Sequence, residues 1–457
     1  MNKIITLNPA TGSSIDSYEQ HVLQEIERRI GQAGKAFVGW NQLGFGQRAD
    51  HLRNIAQALR HEKERCAMQI SVEMGKVLHE SMLEVEKCAV TCEYFAEHAQ
   101  AFLKDEAITT DAKKSFVSFQ PLGIVLGIMP WNFPFWQVFR FLAPTLMAGN
   151  VCLLKHSSNV TGCAVMIEEL LKRAGLPDGV FFSLIMESSR MEEVISNPFV
   201  RAVSLTGSTE AGKSVAAKAG KYLKKTVLEL GGSDPYIILS DCNLEKAAQR
   251  CAESRMLNAG QSCISAKRFI IQEDIFDDFE ALFLQQIKRK NMGNPLEESA
   301  HYGPLARADL RDTLHRQVVR SIDAGAVCLV GGYIPEGEGF YYPGTVLSNV
   351  TEHMPAFAEE LFGPVAALIP APDIQEAIRL ANASSFGLGA AIFSEDEERA
   401  IHLAETQLEA GNCFINGSVR SDPRLPFGGI KESGYGRELS SFGIKEFVNI
   451  KTIYLSK

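Results

Sequence analysis

The chain contains 457 residues, of which 46% are hydrophobic and 22% are charged, and its formal net charge is −9. This length suggests two or three domains with large cores, and the acidic balance argues against a broad basic surface for nucleic acid. After Lys3 only three apolar residues precede Asn8 and Pro9, which is too few for the core of a secretory signal, so we expect a cytoplasmic location.

The first third of the chain predicts helices and then two strands. Residues 19–104 place apolar side chains at three- and four-residue spacing, as in amphipathic helices. Residues 114–130 alternate and then become continuously apolar, as expected for an exposed strand followed by a buried one. The apolar run is broken by Pro130, Asn132 and Pro134, so it does not predict a membrane span, and no membrane partner is expected.

From residue 150 onward, short apolar runs alternate with helical stretches. Strands are predicted at 150–157, 179–185, 200–207, 224–232, 235–240 and 267–272, and helices at 160–175, 208–222, 243–257 and 274–291. This alternation predicts parallel β-α-β units and doubly wound sheets, and therefore an α/β fold. The last residues, 447–457, predict a strand with no helix after it. That strand and the one near 114–120 could add to another sheet or subunit.

The ten cysteines raise the question of which one is reactive. They form no C-x-x-C pair and stand at no metal-ligand spacing from a histidine, so neither a metal site nor a disulfide is expected. Most should be small buried hydrophobic residues. Cys263 differs because it lies in a run of small and polar residues, "NAGQSCISAKR" (258–268). It could be a buried filler, a structural link or a nucleophile.

A nucleotide site is not indicated by any G-x-G-x-x-G match. However, a predicted buried strand leads through Thr206 and Gly207 to Ser208, where a helix begins. Free backbone N–H groups at the start of a helix suit a phosphate. The alternative is an ordinary helix capped by Ser208 or Thr209.

Three polar side chains stand where the sequence is otherwise apolar or turn-forming. Asn132 lies between two prolines and either caps the following helix or donates its amide to an oxyanion. Glu229 ends a strand, as a catalytic carboxylate would, or it pairs with a nearby lysine or arginine. Arg140 lies between two phenylalanines and either forms a salt bridge or meets an anion.

Taken together, these segments resemble the aldehyde dehydrogenase superfamily over nearly the whole chain. The matching motifs occur in the same order, namely "PWNFP", "LTGSTEAG", "LELGGSDP", "GQSC", "EELFGPV" and "PFGGIKESGYGRE". The resemblance implies a cofactor-binding domain (1–102 and 122–231) and a catalytic domain (232–435), both α/β, facing each other across a tunnel. It also implies a small β oligomerisation element (103–121 and 436–457) that bridges subunits in a homodimer or homotetramer.

The resemblance implies a reaction and roles for individual residues. Cys263 matches the nucleophile that attacks the aldehyde, and Asn132 with the Cys263 N–H matches the oxyanion donors. Glu229 matches the base that activates water to hydrolyse the thioester. The cofactor would be NAD or NADP. Lys155 and Glu360 would hold ribose hydroxyls, and the cofactor would be lined by Trp131, Gly207, Ser208, Leu230 and Phe362.

Two positions bear on the choice of cofactor and substrate. Ser158 stands where many NAD-specific members have a glutamate that repels the 2′-phosphate, so NADP is admitted. Arg140 matches an arginine with which succinate-semialdehyde dehydrogenases hold the substrate carboxylate. Their second arginine is replaced here by Leu257, and Arg420 or Arg424 could substitute for it.

The sequence thus predicts NAD(P)-dependent oxidation of an aldehyde to its acid, with succinate semialdehyde as the expected substrate. The alternative is a broad-specificity aldehyde dehydrogenase. Glu229 argues against a coenzyme-A-acylating enzyme, which usually lacks that base. The joint presence of Cys263, Asn132 and Glu229 argues against a catalytically silent protein. A thiol hydrolase would need a histidine near Cys263.

Overall fold

Two largely parallel sheets organise the chain, which the computed structural model describes from residue 3 to residue 457. The strands are β1 (Lys3–Leu7), β2 (Ser14–Glu19), β3 (Glu106–Ala107), β4 (Lys114–Pro121), β5 (Ile124–Met129), β6 (Val151–His156), β7 (Phe181–Ser183), β8 (Val200–Thr206), β9 (Lys225–Glu229), β10 (Pro235–Ile238), β11 (Arg268–Gln272), β12 (Val327–Val330), β13 (Thr345–Ser348), β14 (Val365–Ala371), β15 (Phe386–Gly387), β16 (Gly389–Phe393), β17 (Asn412–Ile415), β18 (Ile430–Lys431), β19 (Gly434–Tyr435) and β20 (Val448–Leu455).

The helices pack on both faces of these sheets. They are α1 (Leu23–Gln42), α2 (Phe45–His61), α3 (Lys63–Met74), α4 (Leu78–Phe102), α5 (Trp136–Met147), α6 (Thr161–Arg173), α7 (Met191–Ile195), α8 (Thr209–Lys221), α9 (Leu244–Met256), α10 (Phe276–Lys288), α11 (Ala308–Asp323), α12 (Pro355–Ala358), α13 (Ile374–Asn382), α14 (Glu397–Thr406) and α15 (Ser440–Ile444). The α/β fold is confirmed, as are the strands and helices predicted between residues 150 and 291.

The first sheet has six strands in the order β19-β9-β8-β5-β6-β7. All neighbours are parallel except β19 and β9. Strands β5 and β6 are buried almost throughout, which explains their continuous apolar runs. The chain moves outward from β5 to β7 and then returns to β8 on the other side. Ligands of such sheets bind at this reversal, beyond the carboxyl ends of β5 and β8.

The second sheet has seven strands in the order β12-β13-β14-β11-β10-β16-β17, and β12 is its antiparallel edge. Each sheet has its own apolar core, one built mainly from residues 26–230 and the other mainly from residues 236–419. The segment that carries Cys263 enters β11, so it lies at the amino end of a strand of the second sheet.

Two smaller sheets complete the fold. The last strand, β20, pairs antiparallel with β4 over eight residues, and the short β3 joins the other side of β4. The two strands without helices therefore pair with each other. The N-terminal hairpin of β1 and β2 was not predicted, although β1 alternates between buried and exposed residues. Within residues 3–457, no helix combines the length and apolar character needed to cross a bilayer.

Candidate active site

Three strand ends of the first sheet form one cavity, which we call the strand-end cavity. Its volume is about 260 Å³, and it is lined by Pro130, Trp131, Asn132, Gln137, Thr206, Gly207, Ser208, Leu230, Gly231, Cys263, Leu310, Glu360 and Phe362. Most of these residues follow β5, β8 or β9 directly, at the reversal point of the strand order. The sequence motifs around residues 131, 207 and 230 therefore meet in space.

A second cavity lies between helices α4 and α5, and we call it the inter-helix cavity. Its volume is about 200 Å³, and it is lined by Glu80, Leu83, Glu84, Lys87, Phe133, Trp136, Gln137, Arg140, Leu257, Ser262, Cys263, Ile264, Val419, Arg420, Ser421 and Phe427. Cys263 and Gln137 belong to both cavities. A thiol at this junction can face a molecule in each cavity at once.

The backbone before Cys263 is unusual. Asn258, Ala259 and Gly260 are consecutive left-handed residues, with φ values of 53°, 52° and 72°. A side chain at Gly260 would place its Cβ 2.3 Å from the carbonyl oxygen of Gly363, so only glycine fits this close approach. Non-glycine residues in this region cost free energy, and strain of this kind collects at functional sites. The chain is thereby turned sharply to present Cys263.

Two buried cations hold this turn. Arg255 donates from Nη1 to the Ala266 carbonyl at 2.8 Å and from Nη2 to the Gly260 carbonyl at 2.5 Å. Lys267 donates to the carbonyls of Ser262 and Cys263 at 3.0 and 2.7 Å. Neither residue was predicted from the sequence to have a role. Lys267 stood in the quoted motif, but nothing in the motif showed that its ammonium turns back onto the Cys263 carbonyl.

Cys263 is half-buried, and burial raises the pKa of its thiol to about 12. The positive charges of Arg140 and Lys267 act in the opposite direction. Since only the thiolate is a good nucleophile, the thiol must lose its proton as it reacts. Six of the other cysteines are buried, namely Cys66, Cys88, Cys92, Cys152, Cys163 and Cys251.

Asn132 does not cap the helix that follows it, so that alternative is wrong. Its Nδ2 donates to the carbonyl oxygen of Gln261 at 3.1 Å. The first N–H groups of α5 are instead bound by Glu84 Oε1, at 2.9 Å from Phe135 N and 3.0 Å from Trp136 N. The buried Asn132 amide has one further N–H, next to the cavity that Cys263 shares.

Glu229 ends β9 and is buried, but it lines neither cavity. Its Oε1 lies 2.8 Å from the position of a Cβ built on Gly428. Neither carboxylate oxygen has a hydrogen-bond partner within residues 3–457, so the predicted alternative of a salt bridge is wrong. Burial raises the pKa of Glu229 well above its ordinary value, and the nearby carboxylate of Glu438 raises it further.

Arg140 lies on α5 in the wall of the inter-helix cavity and is buried. Its guanidinium forms an ion pair with Glu438, donates to Thr206 Oγ1 at 3.2 Å, and lies 4.8 Å from the ring centre of Phe427. The salt bridge that the sequence left open is therefore present. Contact with a substrate carboxylate stays a prediction, and it depends on the guanidinium N–H groups that these partners leave free.

The two other candidate arginines differ in position. Arg420 lines the inter-helix cavity, whereas Arg424 does not and pairs with Asp422 at 2.6 Å. Leu257 lines the same cavity with 44% of its surface exposed.

The residues predicted to bind the cofactor fall into two groups. Trp131, Gly207, Ser208, Leu230, Glu360 and Phe362 all line the strand-end cavity. The rings of Trp131 and Phe362 meet edge to face with centroids 5.6 Å apart. Ser208 caps α8 by accepting from Ala211 N at 3.2 Å, so the predicted cap and the cavity position are both present.

Lys155 and Ser158 do not line the strand-end cavity. They lie at the end of β6. Lys155 is buried and donates to Ser188 Oγ at 2.6 Å, and burial lowers the pKa of its ammonium to about 8. Ser158 is exposed and begins a short 3₁₀ helix. Between them, His156 donates from Nε2 to the Pro134 carbonyl at 2.8 Å, so it positions the loop that carries Asn132.

A dinucleotide fits this set of residues. The strand-end cavity offers apolar ring faces, the start of α8, and the carboxylate of Glu360, which accepts from Gly232 N at 3.0 Å. A side chain at Gly231 would place its Cβ 2.5 Å from Glu360 Oε2. Glycine at this position therefore leaves room for the Glu360 carboxylate beside the backbone. Helix starts and glycine turns are the features with which proteins hold phosphates and ribose.

Comparison with known proteins agrees with this arrangement. The family model described as the aldehyde dehydrogenase family matches residues 1–453. A succinate semialdehyde dehydrogenase [NAD(P)+] of Escherichia coli is 46% identical, covering 98% of this chain and 97% of that protein. A probable succinate-semialdehyde dehydrogenase [NADP(+)] of Synechocystis is 44% identical, over 99% and 100%. The structure of succinic semialdehyde dehydrogenase from Streptococcus pyogenes in complex with NADP+ has a TM-score of 0.97, with 35% identity over 99% and 100%.

Proposed function

Because the chain belongs to the aldehyde dehydrogenase family, we propose that it oxidises succinate semialdehyde to succinate with NAD or NADP. The observation that carries this proposal is the position of Cys263 at the junction of two cavities. The inter-helix cavity carries the cations Lys87, Arg140 and Arg420 and the carboxylates of Glu80 and Glu84, of which Glu84 pairs with Lys76. The rest of its lining is mainly apolar. Such a cavity suits an aliphatic aldehyde with a distal carboxylate.

The relatives support the choice of substrate. Those from Escherichia coli and Synechocystis are named as succinate-semialdehyde dehydrogenases, and they match this chain over nearly its whole length. A carboxylate in a partly apolar cavity forms strong, charge-assisted hydrogen bonds with arginine, and these can be bidentate. Arg140 would provide such a contact, while Glu438 fixes the orientation of its guanidinium.

The reaction begins at the Cys263 sulfur. The thiolate attacks the aldehyde carbon, and the negative charge that forms on oxygen is held by Asn132 Nδ2 and the Cys263 N–H. A bound nicotinamide cofactor would supply the acceptor for the hydride that the resulting thiohemiacetal on Cys263 releases. Cys263 then carries the acid as a thioester. The contacts of Arg255 and Lys267 keep the loop in place during these steps.

Hydrolysis of the thioester requires a base, and Glu229 fills this role. It would take a proton from water, whose oxygen attacks the thioester carbon and releases the acid and the thiol. In this structure Glu229 lines neither cavity, so its side chain would have to move to reach Cys263. Its raised pKa means that the base form increases as pH rises.

Cofactor preference depends on the end of β6. Lys155 and Glu360 would hold ribose hydroxyls. The exposed Ser158 adds no negative charge near a 2′-phosphate. We therefore expect the site to accept either NADP or NAD. The related Streptococcus pyogenes structure contains NADP+.

Assembly and location follow from the same proposal. Residues 103–121 and 436–457 form the subunit-bridging element of a homodimer or homotetramer. The outer strand β20 supports this role because Ile450 and Tyr454 are 62% and 50% exposed on it. We place the enzyme in the cytoplasm, acting on a small aldehyde, without nucleic acid or membrane partners.

The experiment that tests the substrate is a panel of aldehydes with and without a distal carboxylate, assayed with NAD and with NADP. We expect kcat/KM for succinate semialdehyde to exceed that for butanal, which has the same carbon chain and no charge. Equal values for the two aldehydes would favour the broad-specificity alternative.

A further inference from the structure

Lys87 is a lysine inside the inter-helix cavity rather than on the outer surface. It lies on α4 and is half-buried. Its ammonium lies 4.0 Å from the ring centre of Trp136 on α5, and Nζ donates to Ser421 Oγ at 2.9 Å. Ser421 is itself buried. Three segments of the chain thus meet around one positive charge, and the hydroxyl and the ring fix its position.

No carboxylate of residues 3–457 pairs with this ammonium. Glu84, one helical turn earlier, pairs with Lys76 and caps α5. Asp422, next to Ser421, pairs with Arg424. A partly desolvated cation without a counter-ion is costly, so its presence in a cavity indicates that an anion enters from outside.

The electrostatics agree with this geometry. Burial lowers the pKa of Lys87 to about 8, and the positive charge of Arg140 on α5 acts in the same direction. The neighbours that oppose this shift are Cys88 and Glu84 on α4 and Asp422 on the facing loop. The protonated form still predominates at pH 7. Of its three N–H donors, one is used by Ser421 and two remain.

We propose that Lys87, positioned by Ser421 and Trp136, binds the distal carboxylate of the substrate and supplies the second positive charge beside Arg140. Leu257 in the same wall is uncharged, and the Arg140 guanidinium is already engaged by Glu438 and Thr206. Lys87 has no such carboxylate partner and is held in place by Ser421 and Trp136, whereas Arg420 in the same cavity is exposed. This assignment rests on the proposed function, because it requires a substrate with an aldehyde at Cys263 and a carboxylate at the other end.

The test compares succinate semialdehyde with butanal in the wild-type protein, Lys87→Met and Lys87→Arg. Methionine keeps the length of the side chain and removes its charge. The ratio of kcat/KM for the two aldehydes should fall on the order of 10- to 100-fold in Lys87→Met, the range for hydrogen bonds to charged groups. The loss should appear mainly in KM for succinate semialdehyde. Lys87→Arg should retain most of the preference. Lys35→Met is the matched control, since Lys35 is exposed on α1 and lines neither cavity.

A pH profile gives a second readout. Because both aldehydes share the ionisations of the catalytic groups, the ratio of their kcat/KM values reports on the charged groups of the inter-helix cavity. Burial raises the pKa of Glu80 in this cavity to about 7, and a fall caused by Glu80 would persist in Lys87→Arg. Lys87 loses its proton as pH rises through about 8, so the wild-type ratio should fall there. Arginine stays protonated, so the ratio in Lys87→Arg should stay flat across this range.

The outcomes separate the two proposals. A high wild-type ratio that persists in Lys87→Met overturns the assignment of Lys87 and leaves the proposed function intact. A wild-type ratio near one overturns both. Equal losses for both aldehydes in Lys87→Met, with an unchanged melting temperature, would make Lys87 a residue of the cavity wall without a carboxylate contact, which also overturns the assignment.

Discussion

The two cavities that meet at Cys263 are lined by different kinds of residues. Within residues 3–457, the strand-end cavity is lined by turns, apolar rings and a single charged side chain, Glu360. The inter-helix cavity carries five charged side chains, namely Glu80, Glu84, Lys87, Arg140 and Arg420. The first lining suits a large molecule held through backbone and ring contacts, whereas the second suits a small molecule selected by charge. Under the proposed function, one thiol would serve a general cofactor site and a selective substrate site.

The largest expected effect is at the junction of the two cavities. Cys263→Ala should abolish aldehyde oxidation, because no other thiol of the described chain lines either cavity. Binding of the reduced cofactor, followed by fluorescence, should persist, and the melting temperature should change little. Cys413→Ala, which removes another half-buried thiol, is the control. Full activity in Cys263→Ala would refute the mechanism.

Glu229 belongs to neither cavity, so its substitution tests whether the junction needs a third, mobile group. Glu229→Gln should slow the steady state by about 10²- to 10⁴-fold, the usual contribution of a general base. The first hydride transfer should be affected much less, so rapid mixing should show a burst of reduced cofactor.

The pH dependence of Glu229 has a definite sign. Its pKa is raised by burial and by Glu438, so the wild-type deacylation rate should increase with pH until this group is deprotonated. Glu229→Gln should lose that dependence. An unchanged steady rate at neutral pH would mean that another group activates the water.

The difference between the cavities also explains what the sequence could predict. The strand-end cavity follows contiguous turns after strands, so Trp131, Gly207 and Leu230 could be assigned from short motifs. The inter-helix cavity is assembled from four segments between residues 80 and 427, and no motif spans them. The sequence did not indicate that Lys87 lines a cavity, because a lysine in an amphipathic helix is usually exposed to solvent.

Other contacts could not be predicted from the sequence, because they depend on the direction that a side chain takes in the folded protein. Nothing in the sequence indicated that Glu84 would cap α5 in place of Asn132, or that Lys267 would bind the carbonyl of Cys263. Arg140 was identified because a charge between two phenylalanines is conspicuous. Its partner Glu438 lies almost 300 residues away, and only the fold brings the two together.

Substitution of Arg140 tests whether the positive charge of the inter-helix cavity selects an aldehyde with a carboxylate. Arg140→Ala should reduce kcat/KM for succinate semialdehyde by about 1.5–3 kcal/mol, or roughly 10- to 150-fold, while butanal is nearly unaffected. The variant should also be less stable by about 3–5 kcal/mol, because Glu438 is left buried without its partner. Glu438→Gln in the same variant should restore much of the melting temperature without restoring the preference. Equal losses for both aldehydes would make Arg140 purely structural.

The smallest effect is expected at the outer edge of the cofactor site. Ser158→Glu places a negative charge at the start of the 3₁₀ helix after β6, near the position proposed for the adenosine ribose. Repulsion at an exposed site costs about 1 kcal/mol for each pair of unit charges at 4 Å. A 2′-phosphate carries up to two charges, so the dissociation constant of NADP should rise by about 5- to 30-fold. That of NAD should stay the same or fall, because the carboxylate can bind the ribose hydroxyls.

The repulsion at Ser158 should weaken with added salt, since both charges are exposed to water. Titration calorimetry with NADP and with NAD, at two salt concentrations, measures the effect without turnover. Asn159→Asp is the matched control, because it adds one negative charge at the adjacent position of the same turn. A shift confined to Ser158→Glu supports a direct contact with the 2′-phosphate. Equal shifts in both variants would indicate a general field, and no shift in either would mean that Ser158 does not face the ribose.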